Sequence, residues 1–145
     1  MSRITPVISV VLLVACASES FNPQPYELAS GAAVRITVPA GPHRSGILVP
    51  LSVQNQGHFK YTWNPCVRSL ERLVDDRWVR MPGDPDRWCT LEGWVLDPGD
   101  RAEARTDIPA GLPPGQYRFH YSFGREGGDF NVTDDQVSNT FTVSP

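Results

Sequence analysis

Several kinds of sequence feature are missing from this 145-residue chain, and each absence narrows its function. No run or stripe of Lys and Arg occurs and the formal net charge is −3, so we expect no nucleic-acid partner. No convincing amphipathic helix and no internal repeat is visible. The chain also lacks a G-x-S-x-G nucleophile elbow and any C-x-x-C or H-x-x-x-H pair, so neither that hydrolase chemistry nor a zinc site is expected.

Cysteine is scarce, with three residues, and the first cysteine follows an apolar N-terminal segment. Arg3 precedes an apolar run at residues 4–14, which is too short to span a bilayer as a helix. Residues 13–16, Leu-Val-Ala-Cys, resemble the lipobox of bacterial lipoprotein signal peptides. The resemblance implies that residues 1–15 are removed and that the Cys16 sulfur carries a diacylglycerol, which anchors the protein to a membrane. The alternatives are an ordinary secretory signal with a chance cysteine, or a buried strand.

The segment behind the lipobox indicates how the anchor is connected. Residues 16–31 are predicted to be the lipidated cysteine and a flexible tether, because they are polar, contain proline and show no periodicity. Ala17 stands where Asp typically signals retention at the inner membrane, so the resemblance implies the outer membrane if the cell has two membranes. We therefore expect a lipid-anchored protein of the cell envelope that faces the periplasm or the cell exterior.

The two remaining cysteines form a natural pair. Once Cys16 carries lipid, Cys66 and Cys89 have only each other, and an exported domain folds in an oxidising compartment. A disulfide across their separation of 23 residues is worth about 3.4 kcal/mol in the chain-entropy model. Two separate thiols are the alternative.

The most regular stretch of the chain is residues 116–123, which alternate strictly. Four aromatic residues share one face, and Gln, Arg, His and Ser share the other. This period of two predicts a strand with a buried aromatic face, on which Tyr117, Phe119 and Tyr121 lie in the core while Arg118 and His120 face solvent.

Shorter apolar stretches are separated by turns, as 14 prolines and 12 glycines would require. They predict further strands at residues 33–38, 46–55, 59–63, 67–74, 77–81, 88–96, 101–108 and 137–143. Residues 67–74 also fit a helix, because Leu70 and Leu73 are three apart. Pro50 suggests an edge position or a bulge within its strand. The pattern predicts one all-β domain over residues 32–145, a sandwich of two antiparallel sheets with seven to nine strands.

Four motifs in this domain look like those of bacterial immunoglobulin-like domains. They are a strand ending in asparagine, a hairpin ending in a tryptophan strand, an L-x-P-G turn and an L-P-x-G-x-Y-R turn and strand, at residues 51–55, 69–79, 96–99 and 112–119. Asp76 stands where the family's hairpin usually has glycine. The resemblance implies an immunoglobulin-like fold and says little about activity. Tyr117 also sits where such folds place a tyrosine corner, so its hydroxyl is expected to bond backbone near residues 110–113, with plain core packing as the alternative.

Residues with catalytic or ligand-binding potential are scattered. His43, His58 and His120 lie beside loop or polar residues and are expected at the surface. Two ligand sites are weak alternatives: a calcium site, and a sugar-binding platform of tryptophans. Their residues would be Asp129, Asn131, Asp134 and Asp135 for calcium, and Trp63, Trp88 and Trp94 for the platform.

We therefore expect a non-enzymatic envelope lipoprotein, without a cofactor, whose domain serves protein interaction or envelope structure. Its partners would be the membrane, through Cys16, and another envelope protein. The first alternative is a protease inhibitor that uses an exposed loop at residues 81–87 or 125–135; a carbohydrate- or calcium-binding module is the second.

Overall fold

The computed structural model describes residues 33–83, 87–126 and 133–145. This part of the chain contains no helix, and hence none that is long and apolar enough to cross a membrane. The predicted all-β sandwich of two sheets is confirmed. The strands are β1 (Val34–Thr37), β2 (His43–Arg44), β3 (Leu48–Asn55), β4 (Tyr61–Trp63), β5 (Ser69–Val74), β6 (Arg77–Arg80), β7 (Trp94–Leu96), β8 (Arg101–Asp107), β9 (Gly115–Arg125), β10 (Thr133–Val137) and β11 (Phe141–Ser144).

The described residues therefore hold eleven strands, against the seven to nine expected. The two additional strands, β2 and β10, lie almost entirely outside the predicted strands. β2 pairs with β11, and β10 pairs with β9. The exposed loop predicted at residues 125–135 is thus wrong at both of its ends, because β9 continues to Arg125 and β10 begins at Thr133.

The smaller sheet has the order β1-β3-β8 and is antiparallel throughout. Its central strand, β3, carries Pro50, which the sequence places at an edge or a bulge. β1 ends at Thr37, opposite Ser52, so the stretch Leu48–Leu51 has β8 as its only neighbour among the described strands. Pro50 therefore lies on a locally single-sided part of β3, where a missing N–H is tolerated.

The larger sheet is built around β9. On one side β9 pairs first with β11 and then with β10. On the other side it pairs first with β5 and then with β4. On this second side the outermost strands, β6 and β7, pair with β5 and β4 respectively. The sheet thus divides into two arms at the middle of β9, one ending in β6 and the other in β7.

The core lies between the two sheets, and the aromatic face of β9 fills its centre. All four aromatic residues of that face are buried, as the alternation predicts. The Phe119 ring lies 4.9 Å from Phe141 on β11, and Trp63 stacks on Phe123 at 5.8 Å. The smaller sheet supplies branched aliphatic side chains against this wall, namely Val34, Ile36, Val49, Leu51 and Val53.

The predicted hairpin is present as β5 and β6, which settles the choice between strand and helix. Asp75 and Asp76 connect the two strands with φ values of 48° and 60°. Positive φ at both central residues is the geometry of a type I′ turn, whose twist matches that of the flanking strands. Asp76, which stands in place of glycine, therefore preserves the turn type, but it must adopt a left-handed backbone conformation that is less favourable for aspartate than for glycine.

The prediction that Arg118 faces solvent is wrong, since only 6% of this residue is exposed. It does lie on the outer face of β9, as the alternation requires. Its Nε donates to Glu71 Oε2 at 2.7 Å, and its guanidinium lies 4.3 Å from the centre of the Trp78 ring. The β5–β6 hairpin thus covers this part of the outer face. His120, the next outward residue, is half-buried.

The strand predicted at residues 88–96 is also shorter than expected, because only Trp94–Leu96 forms β7. Its partner β4 has three paired residues, Tyr61–Trp63, before Asn64 and Pro65 end the strand. The preceding residues therefore have no strand to pair with and form a loop instead.

Candidate functional site

The loop between β6 and β7 projects from the point where the larger sheet divides. β4 and β5 follow one another along the same side of β9, and residues 64–68 connect them without belonging to a strand; we call these residues the bulge. One strand further from β9, β6 pairs with β5 and β7 pairs with β4, so β6 and β7 also follow one another along the sheet. Residues 81–93 connect them, and we call residues 87–93 of this connection the braced loop.

Covalent and polar contacts fix the braced loop to the bulge. The predicted disulfide between Cys66 and Cys89 is present, with a Cα–Cα distance of 5.5 Å. Next to it, Asn64 Nδ2 donates to the Thr90 carbonyl at 2.6 Å. The same asparagine accepts a hydrogen bond from the Cys66 backbone N–H through Oδ1 at 2.9 Å. The loop is therefore held in place without belonging to a strand.

Two large apolar side chains on the braced loop are almost wholly in contact with water. Trp88 is 95% exposed, and Leu91 is fully exposed. Val67 beside the disulfide and Val95 on β7 are each 57% exposed. A local concentration of exposed apolar side chains marks a binding surface more often than a single exposed residue does.

A cavity of about 550 Å³ lies beside the loop, at the edge of the sandwich. The loop's Arg87 and the bulge's Arg68 line it together with apolar residues of β5 and of the corner before β9. Asp107, at the end of β8, lies between the two arginines. Its Oδ2 is 3.0 Å from Arg68 Nη2, and its Oδ1 is 2.8 Å from Arg87 Nη1.

Arg68 is the most deeply buried of these groups, with a side chain that is 4% exposed. Its Nε donates to Thr106 Oγ1 at 2.7 Å, Nη2 also donates to the Asp107 carbonyl, and the guanidinium lies 4.6 Å from the centre of the Phe119 ring. Burial, and then the positive charge of Arg87, lower the pKa of Arg68. Burial opposes ionisation of Asp107, but the two arginines outweigh it and hold its pKa below the usual value.

Sequence reasoning does not identify this group, because Arg68, Arg87 and Asp107 share no short motif. The available signal is the disulfide, since Arg68 lies two residues after Cys66 and Arg87 two residues before Cys89. A disulfide that joins two strand connections brings their flanking residues together.

The expected tyrosine-corner contact is present but lies away from the braced loop. Tyr117 Oη donates to the Pro113 carbonyl at 2.6 Å, within the stretch that the sequence indicates. Burial raises the pKa of Tyr117, which keeps the phenol protonated as the donor. This contact ties the start of β9 to the corner before it, and its role is structural.

His120 belongs to a serine–histidine–aspartate group that the sequence did not suggest. His120 Nδ1 lies 3.3 Å from Ser69 Oγ, and Nε2 lies 3.7 Å from Asp135 Oδ2. Ser122 Oγ donates to the other oxygen of Asp135 at 2.6 Å. These residues are cross-strand neighbours on β5, β9 and β10, so their proximity follows from sheet register. The long His–Asp distance and the location on a sheet face give no oriented base for a nucleophile.

The other histidines agree only partly with the expectation of surface positions. His58 is exposed, whereas His43 is half-buried and its Nε2 lies 2.6 Å from the Pro39 carbonyl.

The alternative ligand sites find little support. Asp129 and Asn131 lie outside the described residues. Asp134 accepts hydrogen bonds from Tyr61 and Arg125, and Asp135 contacts Ser122 and His120. Within the described ranges no group of three or more potential metal-ligating side chains occurs.

The tryptophan platform is wrong, because its three members have different environments. Trp63 is buried and Trp94 packs against it at 5.9 Å, while Trp88 projects into solvent from the braced loop. Cys16, with the rest of residues 1–32, lies outside the described part of the chain, so lipidation stays a prediction.

No family model matches this chain, and no curated protein matches it. Solved structures with 12–18% identity and TM-scores below 0.5 resemble it in fold alone. The sporulation control protein Spo0M of Bacillus subtilis has a TM-score of 0.44 and 12% identity over 78% of this chain, which spans 50% of the Spo0M chain. The ApaA protein of Bordetella pertussis has a TM-score of 0.40 and 18% identity, over 75% of this chain and 87% of the ApaA chain. The ASH / PapD-like domain of human CEP192 has a TM-score of 0.39 and 15% identity, over 95% of this chain and 96% of the CEP192 domain.

Proposed function

We propose that this protein is a non-enzymatic, lipid-anchored binding module of the cell envelope, and that the braced loop is its contact surface for a protein partner. The observation that carries the proposal is the exposure of Trp88 and Leu91 on a loop fixed by a disulfide. Tryptophan is enriched among the residues that dominate protein–protein affinity, because it buries a large area with few rotatable bonds.

Bracing of the loop supports binding in a second way. A loop that is already held in one conformation loses less conformational entropy when a partner covers it. The Cys66–Cys89 disulfide and the Asn64–Thr90 hydrogen bond restrain the loop on the bulge side. The exposed side chains are therefore presented by a restrained backbone.

The proposed location rests on the sequence and on the disulfide. The lipobox-like residues 13–16 and the polar residues 17–31 provide an anchor and a tether. A structural disulfide is typical of a compartment outside the reducing cytosol. On this proposal Cys16 carries the lipid, and the domain reaches partners near the membrane surface, with the outer membrane favoured in a cell with two membranes.

The binding surface is tested by capture from the protein's own envelope fraction, comparing the intact chain with the Trp88→Ala/Leu91→Ala variant. We expect the double variant to lose at least about tenfold of the captured partner, as a loss of 1.4 kcal/mol or more would produce. The matched control is Leu48→Ala/Val79→Ala, which removes two exposed apolar side chains elsewhere. Equal capture by the intact chain and the loop variant, or equal losses in both variants, would contradict the proposal.

The anchor is tested separately with Cys16→Ser. We expect this variant to lose both palmitate labelling and membrane sedimentation while its domain remains folded, because the tether separates the two. A variant that still takes up label and sediments with membranes would rule out lipidation at Cys16.

A protease inhibitor is the second candidate function, and the same loop favours it. A braced, exposed loop with a large apolar side chain such as Leu91 is a suitable substrate mimic for a protease with an apolar specificity pocket. A protease panel distinguishes the two functions. An inhibitor blocks at least one protease stoichiometrically, and its Leu91→Ala variant does not, whereas a module that only binds a protein partner blocks no protease.

A further inference from the structure

We infer that the cavity beside the braced loop binds the carboxylate of an otherwise apolar ligand, through Arg68 and Arg87 on its wall. This inference deepens the proposed function by naming the chemistry that a ligand of the binding module would present. It rests on the side chains of Arg68 and Arg87, whereas partner capture rests on those of Trp88 and Leu91, so separate variants test the two proposals.

The charges at the cavity are unbalanced. Two guanidinium groups share one carboxylate, that of Asp107, so these three described residues together carry an excess of one positive charge. The excess lies in a poorly solvated place, since the Arg68 side chain is 4% exposed and that of Arg87 is 19% exposed. Mutual repulsion between the arginines contributes to the lowered pKa of Arg68. A second anion would neutralise the group.

Arg87 has hydrogen-bonding capacity that the described residues do not use. Its Nε is buried without a partner among them. Its Nη1 contacts Asp107 at 2.8 Å, but in an orientation that makes an ion pair without a directed hydrogen bond. Buried N–H groups are normally satisfied, so these atoms indicate a missing acceptor. Because these two atoms have almost no solvent-accessible surface, a carboxylate can pair with this edge of the guanidinium only after the Arg87 side chain turns toward the cavity, where the two planar groups match.

Most of the other residues that line the cavity are apolar, which favours a ligand that is apolar apart from its carboxylate. These apolar residues are Leu70, Met81, Pro82, Pro109, Ala110 and Leu112. Arg80 also lines the cavity and adds a third positive charge to its wall. The volume of about 550 Å³ falls in the range of small-molecule sites. A dianionic phosphate would lose more hydration in such surroundings than a monoanionic carboxylate.

Such a carboxylate has two possible sources, a free apolar acid or the C-terminus of a peptide with an apolar last residue. The test is a titration of the full-length chain, observed through the arginine side-chain Nε–H signals in NMR. The probes are 4-phenylbutyrate and acetyl-Phe-Leu with a free carboxylate, each paired with its neutral amide. We expect a Kd below about 1 mM for at least one acid, a shift of the Arg87 Nε–H signal, and at least tenfold weaker binding of the amide.

Three variants locate the site. Arg87→Gln should weaken binding of the acid at least tenfold. Arg105→Gln is the matched control, because it removes one positive charge from an exposed position on β8 and should change Kd less than twofold. Trp88→Ala should also leave acid binding unchanged, whatever it does to partner capture. Tighter binding of the peptide acid points to a protein C-terminus, and tighter binding of 4-phenylbutyrate to a free acid.

Other results would overturn the inference. These are the absence of binding by either acid, equal binding of acid and amide, equal effects of the Arg87 and Arg105 variants, or tighter binding of inorganic phosphate than of either acid. Asp84 and Asp86 precede the site in the sequence and lie outside the described residues. Binding that occurs only in the Asp84→Asn/Asp86→Asn variant would likewise overturn it, because the chain's own carboxylates would then compete for the arginines.

Discussion

Replacing Phe119 by alanine removes the ring at the centre of the core. Phe119 is fully buried, contacts Phe141 at 4.9 Å between ring centres and supports the Arg68 guanidinium at 4.6 Å. A buried Phe→Ala substitution costs about 3–5 kcal/mol. Loss of a desolvated cation–π contact adds up to about 2 kcal/mol. We therefore expect a loss of about 3–7 kcal/mol, which is comparable with the whole stability of a domain at the low end of the usual 5–15 kcal/mol.

The assay is urea unfolding of the oxidised protein, followed by tryptophan fluorescence. The matched control is His120→Ala, one position along β9 and on the opposite face, where the polar contacts of the side chain among the described residues are those to Ser69 and Asp135. We expect this control to cost less than about 1 kcal/mol. Equal losses in the two variants would refute the assignment of faces on β9, because a slip of one residue in register exchanges them.

Three further predictions concern the disulfide, the hairpin turn and the charged group at the cavity. Reduction of Cys66–Cys89 should lower the free energy of unfolding by about 3 kcal/mol with the far-ultraviolet circular dichroism unchanged, and two free thiols by mass spectrometry in native protein would contradict this. Asp76→Gly should raise stability by about 0.5–1 kcal/mol in thermal unfolding, since φ is 60° there and glycine adopts it without strain; a decrease would count against the type I′ turn. The pKa of Asp107 is lower in the folded chain than in the unfolded one, so its contribution is present above the unfolded pKa and lost as pH falls below about 5. Asp107→Asn should therefore flatten the decrease of stability in acid, and an unchanged slope would contradict the ion pairs.

Much of the fold could be predicted from local sequence patterns. Alternation over residues 116–123 is a property of the strand itself, so the buried face of β9 did not depend on knowing its neighbours. The turn at Asp75 and Asp76 was likewise readable, because it is bounded by two β-rich stretches. The disulfide followed from the number of cysteines and the expected compartment, without any geometry.

The errors have a common cause, which is that burial of a polar face depends on the neighbouring strands. Nothing within β9 distinguishes Arg118 from His120; the difference is that Glu71 and Trp78 lie over Arg118. Similarly, residues 88–93 have strand-like composition but form a loop, because their neighbouring strand, β4, ends at Trp63 and offers them no partner.

The candidate site depends both on local sequence patterns and on the pairing of distant strands. The sequence by itself determined the β-sandwich fold class, an aromatic core strand and a cysteine pair, because each depends on local periodicity or on a count. Only the tertiary structure decided that Arg68 and Arg87 share Asp107 and that Trp88 projects into solvent. The physical reason is that both depend on where the sheet divides and on strand pairings between residues far apart in sequence, which no local pattern encodes.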